Sequence, residues 1–334
     1  MIKALVTGAT GFIGSAVCRA LLEAGFEVRA FHRPASNLLL IKDLPVEHAI
    51  GDLSQPESLL QAMQEVQVVF HTAALMGGGR DPGRHYSVTV EGTRAVLRAA
   101  LESGVERVVH TSSVAALGLP PQIPGSHSAA YTMNETHTWN DQPERWPYGY
   151  AKYLAELEVQ RAVAAGLDVV ILNPSLVIGA GDLYRQSRSV VVQVAQGRLP
   201  VIVEGGLNVV SLNDTVAGHL AALQRGRRGE RYILAGQNLR LAHLVERIAE
   251  VAGVSPPRTV LPAGLVRRLA GLYRLFENWL ALPVSSSELY LAGRYFYYDP
   301  QKAKKELEWA CCVEIDQAIR EAIDWSREKG MLAR

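Results

Sequence analysis

The chain of 334 residues carries 34 basic and 33 acidic side chains, a net charge of +1, and 48% of its residues are hydrophobic. This length allows two domains or one enlarged domain with a large core. The balanced charge argues against a nucleic-acid partner, because dedicated nucleic-acid binders carry a strong positive field.

The cysteines and the apolar runs of the sequence indicate the cellular compartment of the protein. Cys18, Cys311 and Cys312 form neither a disulfide framework nor a paired metal-binding spacing, so we predict no metal site and a reducing compartment. A strand-like run starts within two residues of Met1, which leaves no room for a cleavable signal sequence. No window reaches the roughly 18 consecutive apolar residues of a spanning helix. We therefore expect a cytoplasmic protein with no stable membrane insertion.

A glycine-rich turn follows the first apolar run, residues 2–6. Its sequence over residues 7–14 is T-G-A-T-G-F-I-G, and the apolar spacing behind it predicts a helix packed on a sheet. In such a strand-to-helix turn Gly8 permits the tight bend, Gly11 lets the backbone approach a pyrophosphate, and Gly14 allows close packing. The alternative is an ordinary glycine-rich turn. The residues expected to contact a dinucleotide here are Gly8, Thr10, Gly11, Phe12, Ile13 and Gly14.

The residues after the second predicted strand, 27–31, bear on which dinucleotide fits. A preference for NAD usually places Asp or Glu here to bind the ribose hydroxyls, whereas Arg suits the 2′-phosphate of NADP. No carboxylate occurs over residues 32–37, and Arg33 does. We predict NADP, with NAD as the alternative if Arg33 is merely a solvated surface charge.

A short third strand is predicted over residues 46–50, and Asp52 and Leu53 follow it. Asp52 either accepts a hydrogen bond from the adenine amino group of the cofactor or caps the helix that begins near Pro56. We expect both residues in the cofactor site.

The fourth predicted strand, 66–74, ends in small residues that let a flat ring lie close to the backbone. Ligands of open parallel sheets bind beyond such carboxyl ends. His71, within the strand, is expected to be a satisfied core residue rather than a catalytic base. The glycine-rich segment 76–82 reads as a loop over the site. The residues expected against the cofactor are Thr72, Ala73 and Ala74.

Three hydroxyl side chains end the fifth predicted strand, 107–113, where a substrate would lie. A loop of some thirty residues, 118–147, follows this strand. Loops of that length within a compact domain are usually functional or disordered. We interpret it as a flap over the substrate.

The helix that opens at Pro147 carries Tyr148 and Lys152, which share one face because residues four apart on a helix are neighbours. A phenol with a pKa near 10 is a poor catalyst at neutral pH, but an adjacent ammonium favours the phenolate. Tyr148 could then exchange a proton with a substrate oxygen that Ser113 also binds. Lys152 has a second candidate role at the nicotinamide ribose. The alternative for all three is ordinary surface polarity and a strand-end cap.

These motifs, taken in order, resemble the extended short-chain dehydrogenases/reductases of the NAD-dependent epimerase/dehydratase type. The resemblance spans nearly the whole chain and is closest to the dihydroflavonol-reductase-like branch, which includes proteins named as hopanoid-associated sugar epimerases. The matching motifs are Thr7-Gly8-x-x-Gly11-x-x-Gly14, Gly51-Asp52-Leu53, Thr111-Ser112-Ser113, Tyr148-x-x-x-Lys152, Asn173-Pro174-Ser175 and Lys302-Ala303-x-x-Glu306-Leu307-x-Trp309.

The resemblance implies an α/β fold, a Rossmann-type doubly wound parallel sheet with a smaller C-terminal substrate lobe. We expect a dinucleotide-binding domain over residues 1–174, rejoined by about 208–225, and a mainly substrate-binding lobe over residues 175–334. It implies catalysis by Ser113, Tyr148 and Lys152, a cofactor contact at Pro174, and a homodimer.

The chain departs from the family pattern in two ways. Many relatives carry Asn where this chain has Thr89, which leaves the contact made by that Asn in question. Dehydratases carry an Asp-Glu pair where this chain has Val114 and Ala115, so sugar dehydration is not expected.

The C-terminal part reads as a substrate lobe. We predict a helix over 190–196, and a strand over 208–211 and a helix over 213–224 that return to the cofactor sheet. The apolar spacing over 261–282 predicts an amphipathic helix, for which core packing or a lid is favoured over a membrane-surface anchor.

Two functions are weighed against each other for a small-molecule substrate. Arg33 and the apolar 261–282 helix favour an NADPH-dependent ketone or aldehyde reductase. A nucleotide-sugar epimerase with bound NAD would need clustered arginines, for which Arg185, Arg188 and Arg294 are scattered candidates. A non-catalytic NADP-binding redox sensor is a third reading, disfavoured by the intact proton-transfer residues.

Overall fold

The computed structural model describes residues 1–75, 82–121, 131–183, 189–276 and 286–332. Within these ranges the strands are β1 (Lys3–Thr7), β2 (Glu27–His32), β3 (Glu47–Ile50), β4 (Val68–His71), β5 (Arg107–Thr111), β6 (Val169–Pro174), β7 (Leu176–Ile178), β8 (Ile202–Val203), β9 (Gly206–Ser211), β10 (Arg231–Leu234), β11 (Gln237–Arg240), β12 (Val260–Leu261) and β13 (Tyr295–Phe296). The helices are α1 (Phe12–Glu23), α2 (Pro56–Ala62), α3 (Pro82–His85), α4 (Gly92–Glu102), α5 (Pro147–Ala164), α6 (Val190–Ala195), α7 (Leu212–Arg225), α8 (Leu241–Ala252), α9 (Ala263–Phe276), α10 (Ser286–Leu291), α11 (Gln301–Glu306) and α12 (Ile315–Glu328).

A seven-stranded parallel sheet positions the site. Its strand order is β10-β6-β5-β4-β1-β2-β3, so the chain reverses direction across the sheet between β1 and β4. In register, Thr7 pairs with His71, and His71 pairs with His110. Ligands of doubly wound sheets bind at the carboxyl ends of the strands beside such a reversal. The predicted fold class is confirmed.

Both faces of this sheet are buried, as all-parallel sheets require. Successive residues of a strand point to opposite faces. Ala4 and Val6 therefore pack in one core with α1 and α7, whereas Leu5 packs in the other with α2, α4 and α5. This burial of apolar side chains on two sides holds the strand ends in fixed relative positions.

A smaller sheet follows in the C-terminal half. It has the order β11-β9-β13, with β7 also paired to β9, and it packs with α6, α8 and α12 around a third apolar core. The strand predicted over 208–211 is thus β9 of this second sheet, and the prediction that it returns to the cofactor sheet is wrong. The helix predicted over 213–224 is α7, which does pack on α1. The strand that joins the cofactor sheet is β10, at the edge beside β6. The division at residue 174 stays a prediction.

The helix predicted over 261–282 is α9, which begins at Ala263. One face buries Val266 and Tyr273, but Leu265 and Leu269 are 49% and 53% exposed. Core packing therefore accounts for only part of its apolar pattern. Several other sequence expectations lie outside the described residues: most of the 76–82 loop, residues 122–130 of the flap, Arg185, Arg188 and residues 277–285.

Within the ranges given above, no helix is both long enough and apolar enough to cross a membrane.

Asp214 ties the C-terminal segment to the start of α7. This buried carboxylate accepts hydrogen bonds from the Ser211 hydroxyl at 2.8 Å, from Cys312 N at 3.0 Å and from Val313 N at 3.2 Å. Replacing it with Ala leaves these donors without their acceptor. We expect Asp214→Ala to lower the free energy of unfolding by about 3 kcal/mol, measured by urea denaturation.

Asp316→Ala is the matched control for that measurement. Asp316 pairs with Arg247 at 2.7 Å, but its side chain is 47% exposed, so its loss is expected to cost less than about 1 kcal/mol. Equal losses in the two variants would show that Asp214 adds no more than a surface ion pair.

Candidate active site

The glycine turn between β1 and α1 has the geometry of a phosphate cradle. Gly8 has a φ of +71°, and Gly11 N donates to Gly8 O at 2.9 Å. A Cβ at Gly8 would lie 2.7 Å from Ala73 N, just after β4, so the site excludes any side chain here. The turn is therefore closed against the backbone that follows β4.

The start of α1 is open to an anion. Gly11 at its N-cap offers no capping side chain, and the first turn holds no acidic residue. A Cβ at Gly14 would lie 2.6 Å from Thr72 Oγ1 and overlap the Gly8 carbonyl. The Thr72 hydroxyl in turn donates to Thr7 O at 2.8 Å. A helix N-terminus with free amide groups beside a glycine cradle fits a dinucleotide pyrophosphate.

The remaining residues predicted at this turn lie around it. Thr10 is 7% exposed, and Phe12 and Ile13 are half-buried in the first turn of α1. Ala74 is half-buried after Ala73, and Pro174 is the last residue of β6, where it pairs with Leu234.

Arg33 and Asp52 lie near each other at the ends of β2 and β3. Arg33 is exposed directly after β2. The Ser54 backbone N–H and hydroxyl, together with the charge of Arg33, hold the pKa of Asp52 below its usual value. Asp52 Oδ1 accepts from Ser54 N at 2.9 Å, and Gln55 occupies the N-cap of α2, so the prediction that Asp52 caps this helix is wrong.

Leu53 faces α4 rather than open solvent. A Cβ at Gly92 would lie 3.0 Å from Leu53 Cδ1, so this leucine packs closely on the backbone of α4. Its prediction as a cofactor contact stays a prediction.

His71 is a hydrogen-bonded core residue, as its strand position predicts. Its Nδ1 lies 2.7 Å from Thr7 Oγ1 and its Nε2 lies 3.1 Å from Thr93 Oγ1. The Thr93 hydroxyl already donates to the Thr89 carbonyl, so it must accept from Nε2, and Nδ1 must accept from Thr7. The ring is therefore neutral. Burial lowers the pKa of His71 to about 3, with a further contribution from the charge of Lys152.

The carboxyl end of β5 presents Ser113 to the site. Ser113 begins a 3-10 turn, Val114–Leu117, and its Oγ accepts from Ala115 N at 3.2 Å. Asn173 Nδ2, at the end of β6, donates to Ser113 O at 2.9 Å. Ser113 is half-buried, so its backbone is held while its side chain lies at the margin of the core.

Helix α5 brings Tyr148 and Lys152 to this strand end. Pro147 opens the helix, where its missing N–H removes no hydrogen bond. A Cβ at Gly149 would lie 3.0 Å from Ala115 O, so the helix start packs on the turn that follows Ser113. The structure thus places the elements that carry the three predicted catalytic residues together.

Lys152 is almost fully buried, with 2% of its surface exposed. Its Nζ donates to Thr111 O at 3.0 Å. Burial lowers the pKa of Lys152 to about 8, and the charge of Glu156 opposes that shift. Tyr148, one turn earlier, is half-buried, and its ring lies edge-on to that of His85 with 6.0 Å between centroids.

A buried carboxylate that the sequence analysis missed lies one turn beyond Lys152. Glu156 is 5% exposed, and its Oε1 accepts from Ser112 Oγ at 2.5 Å and from Asn173 Nδ2 at 2.6 Å. Its Oε2 pairs with Arg231 Nη1 at 3.1 Å. The available signal was its position four residues after Lys152, on the same face of the helix.

Thr89, which departs from the family pattern, makes a side-chain contact with the backbone. It lies in a π-helical segment, Tyr86–Glu91, between α3 and α4, and its Oγ1 accepts from Leu75 N at 3.4 Å. The contact links this helix to the segment after β4. Single π-helical turns are frequent at functional sites.

The described part of the predicted flap is anchored. Asn140 exchanges hydrogen bonds with the Leu119 backbone at 2.8 and 2.9 Å. The Trp139 ring contacts those of Trp146, Tyr150 and Tyr153. Residues 131–146 therefore form a fixed wall beside α5.

Arg294, a predicted anion-binding residue, lies against an aromatic ring. Its guanidinium carbon is 5.1 Å from the centroid of Tyr290, over which Arg145 also lies at 5.4 Å. The Tyr290 hydroxyl donates to Asp141 at 3.0 Å. Two cations thus meet at one ring on the C-terminal side of the site.

The chain matches one protein family and many known proteins. The model of the NAD dependent epimerase/dehydratase family matches residues 4–235. A putative dihydroflavonol 4-reductase of Synechocystis is 34% identical, covering 97% of this chain and 94% of its own length. Sterol demethylase protein B of Methylococcus capsulatus is 33% identical, and the match covers 98% of this chain and 99% of that protein. The crystal structure of PA4631, a nucleoside-diphosphate-sugar epimerase from Pseudomonas aeruginosa, is 27% identical with a TM-score of 0.82, covering 99% of both chains.

Proposed function

Since the chain belongs to the NAD-dependent epimerase/dehydratase family, as an NAD(P)-dependent oxidoreductase of the extended short-chain dehydrogenase/reductase type, we propose that it reduces a ketone or aldehyde of an apolar small molecule with NADPH. The observation that carries the proposal is the buried Lys152, one helical turn from Tyr148, held against the carboxyl end of β5. This arrangement supplies a proton at the strand end where doubly wound sheets bind their ligands.

The names of several relatives support reduction of an apolar carbonyl compound. Besides the dihydroflavonol reductase, they include a 2-alkyl-3-oxoalkanoate reductase of Stenotrophomonas maltophilia, 30% identical over 77% of this chain. A ketoreductase of Stigmatella aurantiaca, named for a farnesyl-bearing quinoline oxide, is 28% identical over 95% of this chain. Each name describes a ketone next to substantial hydrocarbon.

The glycine turn, the residues 72–74 and Pro174 would hold the cofactor, whose nicotinamide supplies the hydride when bound. Tyr148 donates its phenolic proton to the carbonyl oxygen of the substrate. Ser113 donates a second hydrogen bond to that oxygen and keeps it near Tyr148. The Lys152 ammonium stabilises the phenolate that remains, and Tyr148 regains its proton from solvent. The buried position of Lys152 strengthens this charge effect, because few water molecules screen it.

Arg33 is proposed to bind the 2′-phosphate of NADPH. We expect Arg33→Asp to change the ratio of kcat/KM for NADPH to kcat/KM for NADH by about 10- to 100-fold towards NADH, because a charge-assisted hydrogen bond is replaced by repulsion. Initial rates with both cofactors measure the ratio. Arg19→Asp, on the exposed side of α1, is the control and should leave it unchanged. An unchanged ratio in Arg33→Asp would remove Arg33 from cofactor selection.

An epimerase acting on a nucleotide sugar is the second candidate. The likeness to PA4631 and the paired cations Arg294 and Arg145 favour it. Epimerases oxidise and re-reduce the same carbon, so they retain their cofactor between turnovers.

Two measurements on one preparation of the protein distinguish the reductase from the epimerase. The protein is purified, denatured, and any released dinucleotide identified, and the native protein is then assayed with NADPH and a panel of aryl and alicyclic ketones. A cofactor-free protein that oxidises NADPH with a ketone supports the reductase. Retained NAD with no net oxidation of NADPH would support the epimerase and overturn the reductase.

A further inference from the structure

Glu156 occupies a position where an unpaired carboxylate would be costly. It lies in the core at the meeting point of α5, β5, β6 and β10, and burying an ionised group without partners costs many kcal/mol. Here Ser112, Asn173 and Arg231 supply a hydroxyl, an amide and a guanidinium. The carboxylate therefore accepts hydrogen bonds from donors on three different strands or strand ends.

Two of these donors are connected to the Ser113 backbone, one through the chain and one by a hydrogen bond. Ser112 is its neighbour in sequence, and Asn173 Nδ2 contacts both Glu156 Oε1 at 2.6 Å and Ser113 O at 2.9 Å. Glu156 thereby fixes the amide whose second contact orients Ser113. A loss of the carboxylate would free both groups.

Arg231 extends the same network to the wall beside α5. Besides Glu156, it donates from Nε to Glu135 O at 3.0 Å and from Nη2 to His137 O at 2.7 Å. The Glu135 carboxylate accepts from Ile233 N at 2.9 Å. The backbone of residues 131–146 is thus tied to β10 through an arginine that Glu156 holds in place.

Lys152 lies one turn before Glu156 on α5, and residues four apart on a helix share a face. Tyr148 lies one turn before Lys152 on the same helix, and the titratable groups on the neighbouring strands are His71 on β4 and His110 on β5. Both histidines are neutral because burial lowers the pKa of each ring. Glu156 is therefore the charge that favours the ammonium form of Lys152. Arg231 pairs with the same carboxylate at 3.1 Å.

We propose that Glu156 is a positioning residue that holds Ser113, the charge of Lys152 and the wall segment 131–146 in one arrangement through Ser112, Asn173 and Arg231. The proposal rests on the proposed reductase function. It adds a fourth residue to the three predicted from the motifs, acting through them and not on the substrate.

The test compares Glu156→Gln with Glu158→Gln. Glu158 is also buried on α5, but it lies two residues further on, and among the described residues its hydrogen bonds and ion pairs go to Arg94 and Arg161. Both variants lose one buried carboxylate charge, and thermal unfolding confirms that each is folded. The measured quantities are kcat and KM for ketone reduction against pH, and amide hydrogen exchange of residues 131–146 without cofactor.

The high-pH limb of the profile is the alkaline range in which kcat falls. For Glu156→Gln we expect the midpoint of this limb to shift by about one pH unit to lower pH, because the Lys152 ammonium loses the opposite charge that favours it. Exchange of the 131–146 amides should rise at least about tenfold, because Arg231 loses its carboxylate. Glu156→Asp should restore the position of the limb. Glu158→Gln should keep the wild-type limb and exchange rates.

Arg231→Met separates the two halves of the network. It should raise exchange of the 131–146 amides and raise KM, while the high-pH limb stays in place or moves up, because Glu156 remains charged.

An active wild type whose Glu156→Gln variant keeps both the limb and the exchange rates would overturn the positioning role and leave the reductase function intact. A limb that moves equally in Glu158→Gln would also overturn it. If the wild type reduces no ketone, the reductase function fails, and unchanged exchange in Glu156→Gln then overturns the network as well.

Discussion

Replacing Tyr148 with Phe is expected to lower kcat for ketone reduction by about 1,000-fold, because the variant cannot donate a proton to the developing alkoxide. The ring and its edge-on contact with His85 are retained, so NADPH affinity should stay within about threefold. NADPH oxidation measures the first quantity, and quenching of protein fluorescence on titration with NADPH measures the second.

Tyr150→Phe is the matched control on the same helix. The Tyr150 ring contacts that of Trp139 at a tilt, with 5.4 Å between centroids, and Tyr150 lies two residues from Tyr148, on another face of α5. Loss of the Tyr150 hydroxyl should change kcat by less than about threefold. A Tyr148→Phe enzyme with near-wild-type turnover would remove the phenol from the mechanism.

The second large effect is an acid instability caused by three buried histidines. Besides His71, His110 has neither ring nitrogen hydrogen-bonded within the described chain, and burial holds its pKa well below the usual value. His219 donates from Nδ1 to Thr215 O and lies 2.8 Å from Thr111 Oγ1, and burial lowers its pKa to about 4. All three are neutral when folded at pH 5.

Because the pKa values of the three histidines are lowered by folding, acid decreases the stability of the folded protein. An unfolded histidine with a pKa near 6.5 binds a proton at pH 5, whereas the folded rings do not, so stability is present above pH 6.5 and is lost below it. Each ring costs about 1.4 kcal/mol per pH unit once its unfolded form is fully protonated, and less near pH 6.5, so the three together remove about 5 kcal/mol between pH 6.5 and pH 5. That loss is comparable to the whole stability of a typical domain. Urea denaturation across this pH range measures it.

His110→Leu should remove about one third of that pH dependence, because one of the three rings no longer titrates on unfolding. The exposed His243 serves as control, and His243→Gln should leave the slope unchanged. A stability that varies by less than about 2 kcal/mol between pH 6.5 and pH 5 would contradict the assignment of these rings as neutral and buried.

The motifs predicted much of the cofactor half. Local sequence determines three of its features: the glycine turn, the strand ends at Thr72 and Ser113, and the helix of Tyr148. A turn, a helix cap or a pair four residues apart involves only residues that are close in sequence. The structure places these elements where the motifs indicate.

Long-range partners could not be predicted in the same way. Glu156 reads in sequence as a surface charge, because its burial depends on Arg231, 75 residues away, and on Asn173 at the end of another strand. The strand at 208–211 has an apolar pattern that suits either sheet, and its pairing with β7, β11 and β13, which are distant in sequence, decides between them. Leu265 and Leu269 likewise have a core-like spacing on the outer face of α9.

The two sheets are interlaced along the chain. The chain leaves the parallel sheet after β6 and builds β7 and β9 of the second sheet. It then returns through α7 and β10, and leaves again at β11. No single cut in the sequence separates the two halves of the protein. Transplanting a relative's substrate preference onto this scaffold therefore calls for replacing several separate stretches at once, while α7 and β10 stay native.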